Sequence, residues 1–129
     1  MRSKLKQSTA APELNKAIVV GKSVLRAAAR LKIPARVLAD VIGLSEASVS
    51  RIAQGSFRLD PESKPFELAL LFIRMFRSLD AITGGDQVSA AHWVRAENTA
   101  LGAKPLDLIA HLPGLIDVIA YLDARRAIV

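Results

Sequence analysis

The sequence predicts an all-α protein. Apolar residues recur at helical spacing along most of the 129-residue chain, no window shows the two-residue alternation of a β-strand, and Pro and Gly separate the helical segments. A chain of this length forms one core or two small modules in close contact. We divide it into a basic arm (1–11), a first helical module (12–60), a central apolar helix (61–83) and a C-terminal helical module (84–129).

The first module begins with a predicted long helix. Residues 1–11 are basic and are expected to form a loose arm, either solvated or lying on nucleic-acid phosphates. Pro12 is suited to the first turn of a helix that runs to about Lys32, where Ile33-Pro34 ends it. The apolar side of this helix carries Ile18, Leu25, Ala28 and Leu31.

Residues 35–54 fit a helix-turn-helix at each diagnostic position. Ala39 is small enough for two helices to approach, and Gly43 falls where the turn requires a positive φ. Ser45 is placed to cap the second helix, with Glu46 in its first turn. Val49 and Ile52 then face the first helix. Helix pairs with a Gly-containing turn also occur in proteins that never contact DNA, so this pattern has a purely structural alternative.

The exposed face of the second helix is small, polar and basic, which suits a DNA major groove. Arg51 and Gln54 are the first choice for contacts to base edges, with the small residues Ala47 and Ser50 beside them. The hydroxyl groups of Ser45 and Ser48 and the flanking arginines are better suited to contacts with phosphates. Glu46 is best explained as a first-turn acid. The remaining candidate DNA-binding residues are Arg36, Ser45, Ala47, Ser48, Ser50 and Arg58.

The charge distribution supports the DNA-binding interpretation. Residues 1–64 hold twelve Lys/Arg against five Asp/Glu, a formal charge of +7, whereas residues 65–129 hold six against seven, a charge of −1. A basic module around a helix-turn-helix is typical of a phosphate-binding surface. The second half of the chain is therefore expected to bind a different kind of partner.

Composition argues against several classes of protein. The chain has no cysteine, its two histidines are isolated, and its acids do not cluster at metal-ligand spacing, so we predict neither a metal nor a cofactor. No nucleophile–base pair or phosphate-cradling glycine loop is present, which makes an enzyme improbable. Neither a secretion signal nor an apolar run long enough for a membrane is found, so we expect a cytoplasmic protein that does not contact membranes.

The segment Pro65–Ala81 reads as a helix that is apolar almost all round. Because one short chain has few helices to surround it, we expect this helix to be both central and part of a dimer interface. A two-fold dimer would present two recognition helices to an inverted-repeat operator. The residues expected near the dimer axis are Leu68, Phe72, Met75 and Phe76.

Three further helices are predicted after the break at residues 83–86. The first runs from Gln87 to about Leu101 with Gly102 as its stop, and a short helix follows over Pro105–Leu112. Pro113-Gly114 opens the last one, with Leu115, Val118, Ile119 and Leu122 at helical spacing. By residue type alone, these side chains could simply build a local core.

The spacing in this half is more specific than its composition. The string W93-x4-N98-x2-L101-G102-x2-P105-L106-D107, followed by G114-x3-V118-x3-L122, resembles the toxin-binding domain of Xre/MbcA/ParS-type antitoxins. The preceding modules stand in the order that this family uses. The resemblance implies a Cro/Xre-like helix-turn-helix module followed by a small helical toxin-binding domain. Its candidate toxin-binding residues here are Trp93, Asn98, Leu101, Gly102, Pro105 and Leu106.

The resemblance further implies an antitoxin that neutralises a RES-domain, NAD-depleting toxin and represses its own operon. Its complex with the toxin would be a higher hetero-oligomer. In this family the last residues help to block the toxin active site, which makes Arg125, Arg126, Ile128 and Val129 candidate toxin contacts, although the tail departs from the Arg-Ile-…-Gly ending common in the family. The alternatives are a frayed, inert tail and, for the whole chain, a free-standing dimeric repressor without a toxin partner.

Overall fold

The computed structural model describes the backbone of residues 2–128 and the side chains of residues 11–127. The described backbone forms seven helices. They are α1 (Arg2–Arg30), α2 (Ala35–Ile42), α3 (Glu46–Gln54), α4 (Lys64–Ile82), α5 (Gln87–Arg95), α6 (Pro105–Leu108) and α7 (Leu112–Ile128). The predicted all-α class is confirmed.

The helix-turn-helix prediction agrees with the structure, whereas the predicted start of α1 is wrong. α1 begins at Arg2 and contains Pro12 in its interior, so the backbone of residues 2–11 of the predicted arm is helical. The side chains of residues 1–10 of that arm lie outside the described residues. At its other end α1 closes near the expected position, with Lys32 at a positive φ of 56° and Ile33 N–H donating to the Ala28 carbonyl at 2.8 Å.

Helix α4 lies at the centre of the molecule and packs against α1, α2, α5 and α7. Its capping fits its sequence, because the Ser63 side chain accepts from Phe66 N–H and Pro65 occupies the first turn. Phe72, Met75 and Leu79 have no exposed surface. The core is therefore continuous from the helix-turn-helix to the C-terminal helices.

Two of the four residues predicted at a dimer axis are not available for that role. Phe72 and Met75 are fully buried within the single chain. The packing of α1 and α7 against α4 accounts for this burial, which the sequence suggested would come from a second copy of the chain. Leu68 and Phe76 are half-buried and pack against the same core. The expectation for Phe72 and Met75 is therefore wrong, whereas a dimer contact through Leu68 and Phe76 stays a prediction.

Two of the three C-terminal helices, α5 and α6, are shorter than predicted. α5 ends at Arg95, six residues before the expected end, since Asn98 begins a tight turn. α6 ends at Leu108, because the chain must turn there to enter α7. No helix within the described residues is long and apolar enough to cross a membrane.

Candidate nucleic-acid interface and C-terminal surface

The corner of the helix-turn-helix is fixed by backbone and capping contacts. Gly43 adopts a φ of 74° and its N–H donates to the Ala39 carbonyl, which Leu44 N–H also contacts at 3.0 Å. Only glycine adopts this left-handed conformation without strain. Ser45 then caps α3, accepting a hydrogen bond from Ser48 N–H at 3.1 Å. The backbone of the corner thus forms as its sequence predicts.

The outward face of α3 carries the predicted recognition residues. Ala47, Ser50, Arg51 and Gln54 are exposed, while Val49 is 1% exposed and anchors the helix to the core. No short polar contact holds the Arg51 guanidinium among the described residues. The side chain is therefore positioned to reach a partner.

Two serines on this face are more constrained than predicted. Ser48 is half-buried, and its hydroxyl accepts from the Ser45 hydroxyl at 3.0 Å. The Ser45 oxygen in turn caps the helix. Their first role is therefore to hold the start of α3, and any contact with phosphate would be added to that role.

A basic flank lies beside the C-terminal end of α3. Arg36 is not part of that flank and is exposed on another element, in the first turn of α2. Arg58 and Lys22 line a cavity of about 190 Å³ that also includes Gly55, the C-cap of α3. Sequence reasoning found Arg58 but missed Lys22. The close packing of α1 against α3, where a Cβ on Gly21 would lie 3.2 Å from Ile52, places Lys22 there.

In the C-terminal half, Asn98 organises the turn between α5 and α6. Its side-chain oxygen accepts from Leu101 N–H at 3.0 Å, and its carbonyl accepts from Gly102 N–H at 2.8 Å. Gly102 has a φ of 82°, and Asn98 pairs with Ala103 across the turn. Asn98, Leu101 and Gly102 thus shape a loop. The prediction that the helix continues to Leu101 is wrong, because the Asn98 side chain substitutes for helical hydrogen bonds.

The following residues form a tight helical corner. Pro105 is buried at the first position of α6, and Leu106 is half-buried against the core. Gly114 approaches so closely that an added Cβ would overlap the Leu108 carbonyl oxygen. This contact gives a physical reason for the spacing between the loop and the glycine of the last helix.

Trp93 belongs to a partly exposed stack on α5 and α7. Its ring centroid lies 6.1 Å from that of Tyr121, and the two planes differ by 23°. Arg125 lies over the Tyr121 ring, with its guanidinium carbon 5.1 Å from the ring centroid. Its Nε donates to the Tyr121 hydroxyl at 2.8 Å. Arg125 is therefore held by its own helix.

A polar network joins α4 to α7. Arg74 pairs with Asp123 at 2.6 Å, and the buried Ser78 hydroxyl donates to the other Asp123 oxygen at 2.9 Å. The hydrogen bond from Ser78, followed by Arg74, lowers the pKa of Asp123 below its ordinary value of 3.8. Arg126 Nη1 reaches Ser78 at 3.5 Å. Arg126 thus lies over this network, and Ile128 (side chain) and Val129 lie outside the described residues.

Sequence reasoning missed a contact between the two halves of the chain. Arg95, on α5, donates from Nη1 to the Leu31 carbonyl at 2.8 Å and from Nη2 to the Lys32 carbonyl at 2.5 Å. Those carbonyls lie at the end of α1, directly before the helix-turn-helix. A basic residue at the last turn of its own helix was the only sequence signal available, and it does not reveal a partner 63 or 64 residues away.

Helix α7 presents an apolar outer stripe that was also missed. Leu112 is 44% exposed and Ile116 is 46% exposed, one helical turn apart, and Ala120 and Ala124 continue the row. Its opposite side is buried through Leu115 and Leu122. The buried residues Leu115, Val118, Ile119 and Leu122 alone were enough to predict the helix, so the exposed apolar residues on its other side were not considered.

Among the described residues, no group of three or more His, Cys, Asp or Glu side chains is arranged to hold a metal. The observed chemistry is that of contact surfaces: a basic helical face, an aromatic–arginine stack and an apolar stripe.

The fold and these surfaces define a helix-turn-helix protein with a second, helical binding domain. Residues 13–74 match the Antitoxin Xre-like helix-turn-helix domain, and residues 78–127 match the Antitoxin Xre/MbcA/ParS C-terminal toxin-binding domain. No curated protein matches the chain. The chain belongs to the Xre/MbcA/ParS-type antitoxins, and its domains are those of a DNA-binding, toxin-binding antitoxin. Such a family is typically non-enzymatic.

Proposed function

We propose that this antitoxin neutralises a RES-domain toxin that depletes NAD and represses its own operon from an inverted-repeat operator. The match of residues 78–127 to a toxin-binding domain carries the first part of this proposal. The exposed polar face of α3 with Arg51, flanked by Lys22 and Arg58, supports the second. Both activities belong to the cytoplasm, where operator and newly made toxin are found.

The toxin-docking surface that we propose combines the α7 stripe with the neighbouring stack. Leu112 and Ile116 supply two neighbouring exposed apolar side chains on one helical stripe, which a partner would bury. Trp93, Tyr121 and Arg125 supply the aromatic and guanidinium groups that protein interfaces favour. Asn98, Gly102 and Pro105 contribute by holding the loop in shape.

We retain a role for the tail in blocking the toxin. Arg126 extends over the α4–α7 network, and the chain continues beyond it. Removing Arg125–Val129 is expected to weaken neutralisation and to leave operator binding unchanged, because α3 is built from other contacts. A double substitution of Arg125 and Arg126 by Ala separates the contribution of the guanidinium groups from that of the last three residues.

The proposed function is tested first by the presence of a gene for a RES-domain protein beside this one, and then by co-expression of the two proteins. The wild-type antitoxin should restore growth and cellular NAD, whereas Ile116→Glu should fail to do so because it places a charge in an apolar contact. Asp117→Ala, a change at the adjacent exposed position, is the matched control. If the wild-type protein restores neither growth nor NAD, the antitoxin proposal fails and a free-standing repressor is the better account.

Assembly is proposed to involve two antitoxin chains and to extend to a higher hetero-oligomer with the toxin. A single short recognition helix reads few base pairs, so two copies on an inverted repeat would supply the missing specificity. Light scattering on the free protein and on the toxin complex gives both masses. A monomer mass in both samples would contradict the assembly.

A further inference from the structure

A cavity lies between α1, α4 and α7, and of its lining residues only Arg126 enters the function proposed above. It encloses about 620 Å³, which is within the range of small-molecule sites. One side is apolar, formed by Val19, Leu70 and Ile73. The polar side carries Ser23, Ser78, Asp123 and the guanidinium groups of Arg74, Arg77 and Arg126.

The charges in this cavity are unbalanced. Asp123 is its one acid, and both of its oxygens are engaged, one by Arg74 at 2.6 Å and one by Ser78 at 2.9 Å. Arg126 contacts only a neutral hydroxyl, at 3.5 Å, within the described side chains. Arg77 also lines a neighbouring cavity of about 160 Å³, together with Arg26 and Ser23. Three guanidinium groups thus face one carboxylate, on which Arg126 has a smaller electrostatic effect than Arg74. The cavity keeps a net positive charge in a concave space, where the potential is focused.

This cavity is separate from the candidate DNA interface. The flank of α1 that faces α3 carries Gly21 and Lys22, whereas the cavity is lined by Val19 and Ser23 on a different flank of the same helix. The two cavities share no residue. A duplex held on α3 would accordingly leave the arginines of this cavity unoccupied.

We infer that this cavity binds a small molecule carrying two adjacent phosphates. Each guanidinium group can bind a phosphate through two parallel N–H donors, and Arg77 and Arg126 supply two such groups from different helices. The Ser23 hydroxyl can add a neutral donor. The apolar wall offers a surface for an attached organic group, such as a nucleoside.

The inference is tested by calorimetric titration of the full-length protein with inorganic pyrophosphate and, separately, with ADP. Saturable binding tighter than 1 mM is expected, and R77Q and R126Q should each weaken it about tenfold, which corresponds to about 1.4 kcal/mol. R30Q, which removes an exposed arginine outside the cavity, is the matched control. Tighter binding of ADP than of pyrophosphate would identify a nucleotide, and equal binding would identify the free anion.

Three results would overturn the inference. The first is the absence of saturable binding to either probe. The second is weakening by R51Q but not by R77Q, which would place the phosphates on the DNA-binding face. The third is binding of a poly-glutamate peptide but not of pyrophosphate, which would assign the cavity to an acidic protein segment. Circular dichroism of each variant shows whether the fold is retained.

Discussion

At the scale of single residues, backbone geometry explains several positions whose side chains carry no chemistry. Gly114 is the sharpest case, because it has no side chain and stands against the Leu108 carbonyl, where an added Cβ would overlap the oxygen. Gly102 differs, since a Cβ there would meet open space and only its φ of 82° restricts it. Two glycines in one motif therefore serve two different physical purposes.

We predict that Gly114→Ala lowers the free energy of unfolding by about 1–3 kcal/mol, as overpacking of a tight contact does. Gly102→Ala, the matched control, should cost about 1–2 kcal/mol from the left-handed backbone alone. Only the first variant should also displace α6, because Gly114 stands directly against Leu108. Urea denaturation measures both free energies, and an unchanged midpoint for Gly114→Ala would contradict the close contact.

At the scale of elements, Arg95 ties α5 to the end of α1 and so connects the two family domains. Two guanidinium nitrogens contact two consecutive carbonyls, an arrangement that a lysine does not reproduce. Because these carbonyls belong to the turn that leads into α2, the contact also positions the helix-turn-helix.

We predict that Arg95→Gln lowers the free energy of unfolding by about 1.5–3 kcal/mol, the usual range for hydrogen bonds to a charged group. Arg95→Lys should recover part of this loss, since it restores the charge but not the fork. Arg30→Gln changes an exposed arginine on the neighbouring turn and should have little effect. Equal stability of Arg95→Gln and wild type in urea would show that the contact contributes nothing.

The Asp123 network makes a prediction about pH. The folded-state pKa of Asp123 is lowered by Ser78 and by Arg74, with a smaller effect of Arg126. A carboxyl with a lowered folded pKa stabilises the fold above its unfolded pKa, and this contribution is lost as the pH falls through the folded value. Asp123→Asn should therefore flatten the loss of stability below about pH 4, near the ordinary pKa.

Thermal unfolding of the wild type and Asp123→Asn between pH 2 and pH 7 measures this difference. Asp117→Asn changes an exposed acid on the same helix and is the control. If Asp123→Asn and Asp117→Asn showed the same dependence of thermal stability on pH, the contacts of Asp123 would not stabilise the folded protein.

The helices and the turn chemistry show how much could be predicted from the sequence. Gly43, Ser45 and Val49 act locally, so their spacing predicted the corner of the helix-turn-helix. Contacts between distant segments left no such local pattern. The partner of Arg95, the outer stripe of α7 and the coverage of α4 by α7 therefore became visible only in three dimensions.

At the scale of the whole molecule, one continuous core carries two surfaces with different chemistry. The basic face of α3 lies in the first half of the chain, and the apolar stripe of α7 lies in the second. Because α4 packs against elements of both halves, each surface is presented by the same rigid framework. The central claim is that the two surfaces act on different partners and can be disabled one at a time.

The most direct test is a paired affinity measurement on wild type, Arg51→Ala and Ile116→Glu. Each protein is titrated with its operator fragment at fixed salt and with the purified RES-domain protein. Arg51→Ala should lose about 1–3 kcal/mol of operator affinity and keep toxin binding, whereas Ile116→Glu should lose toxin binding and keep operator affinity. If either substitution weakens both affinities equally while the fold is retained, or leaves its assigned affinity unchanged, the division of function between α3 and α7 is contradicted.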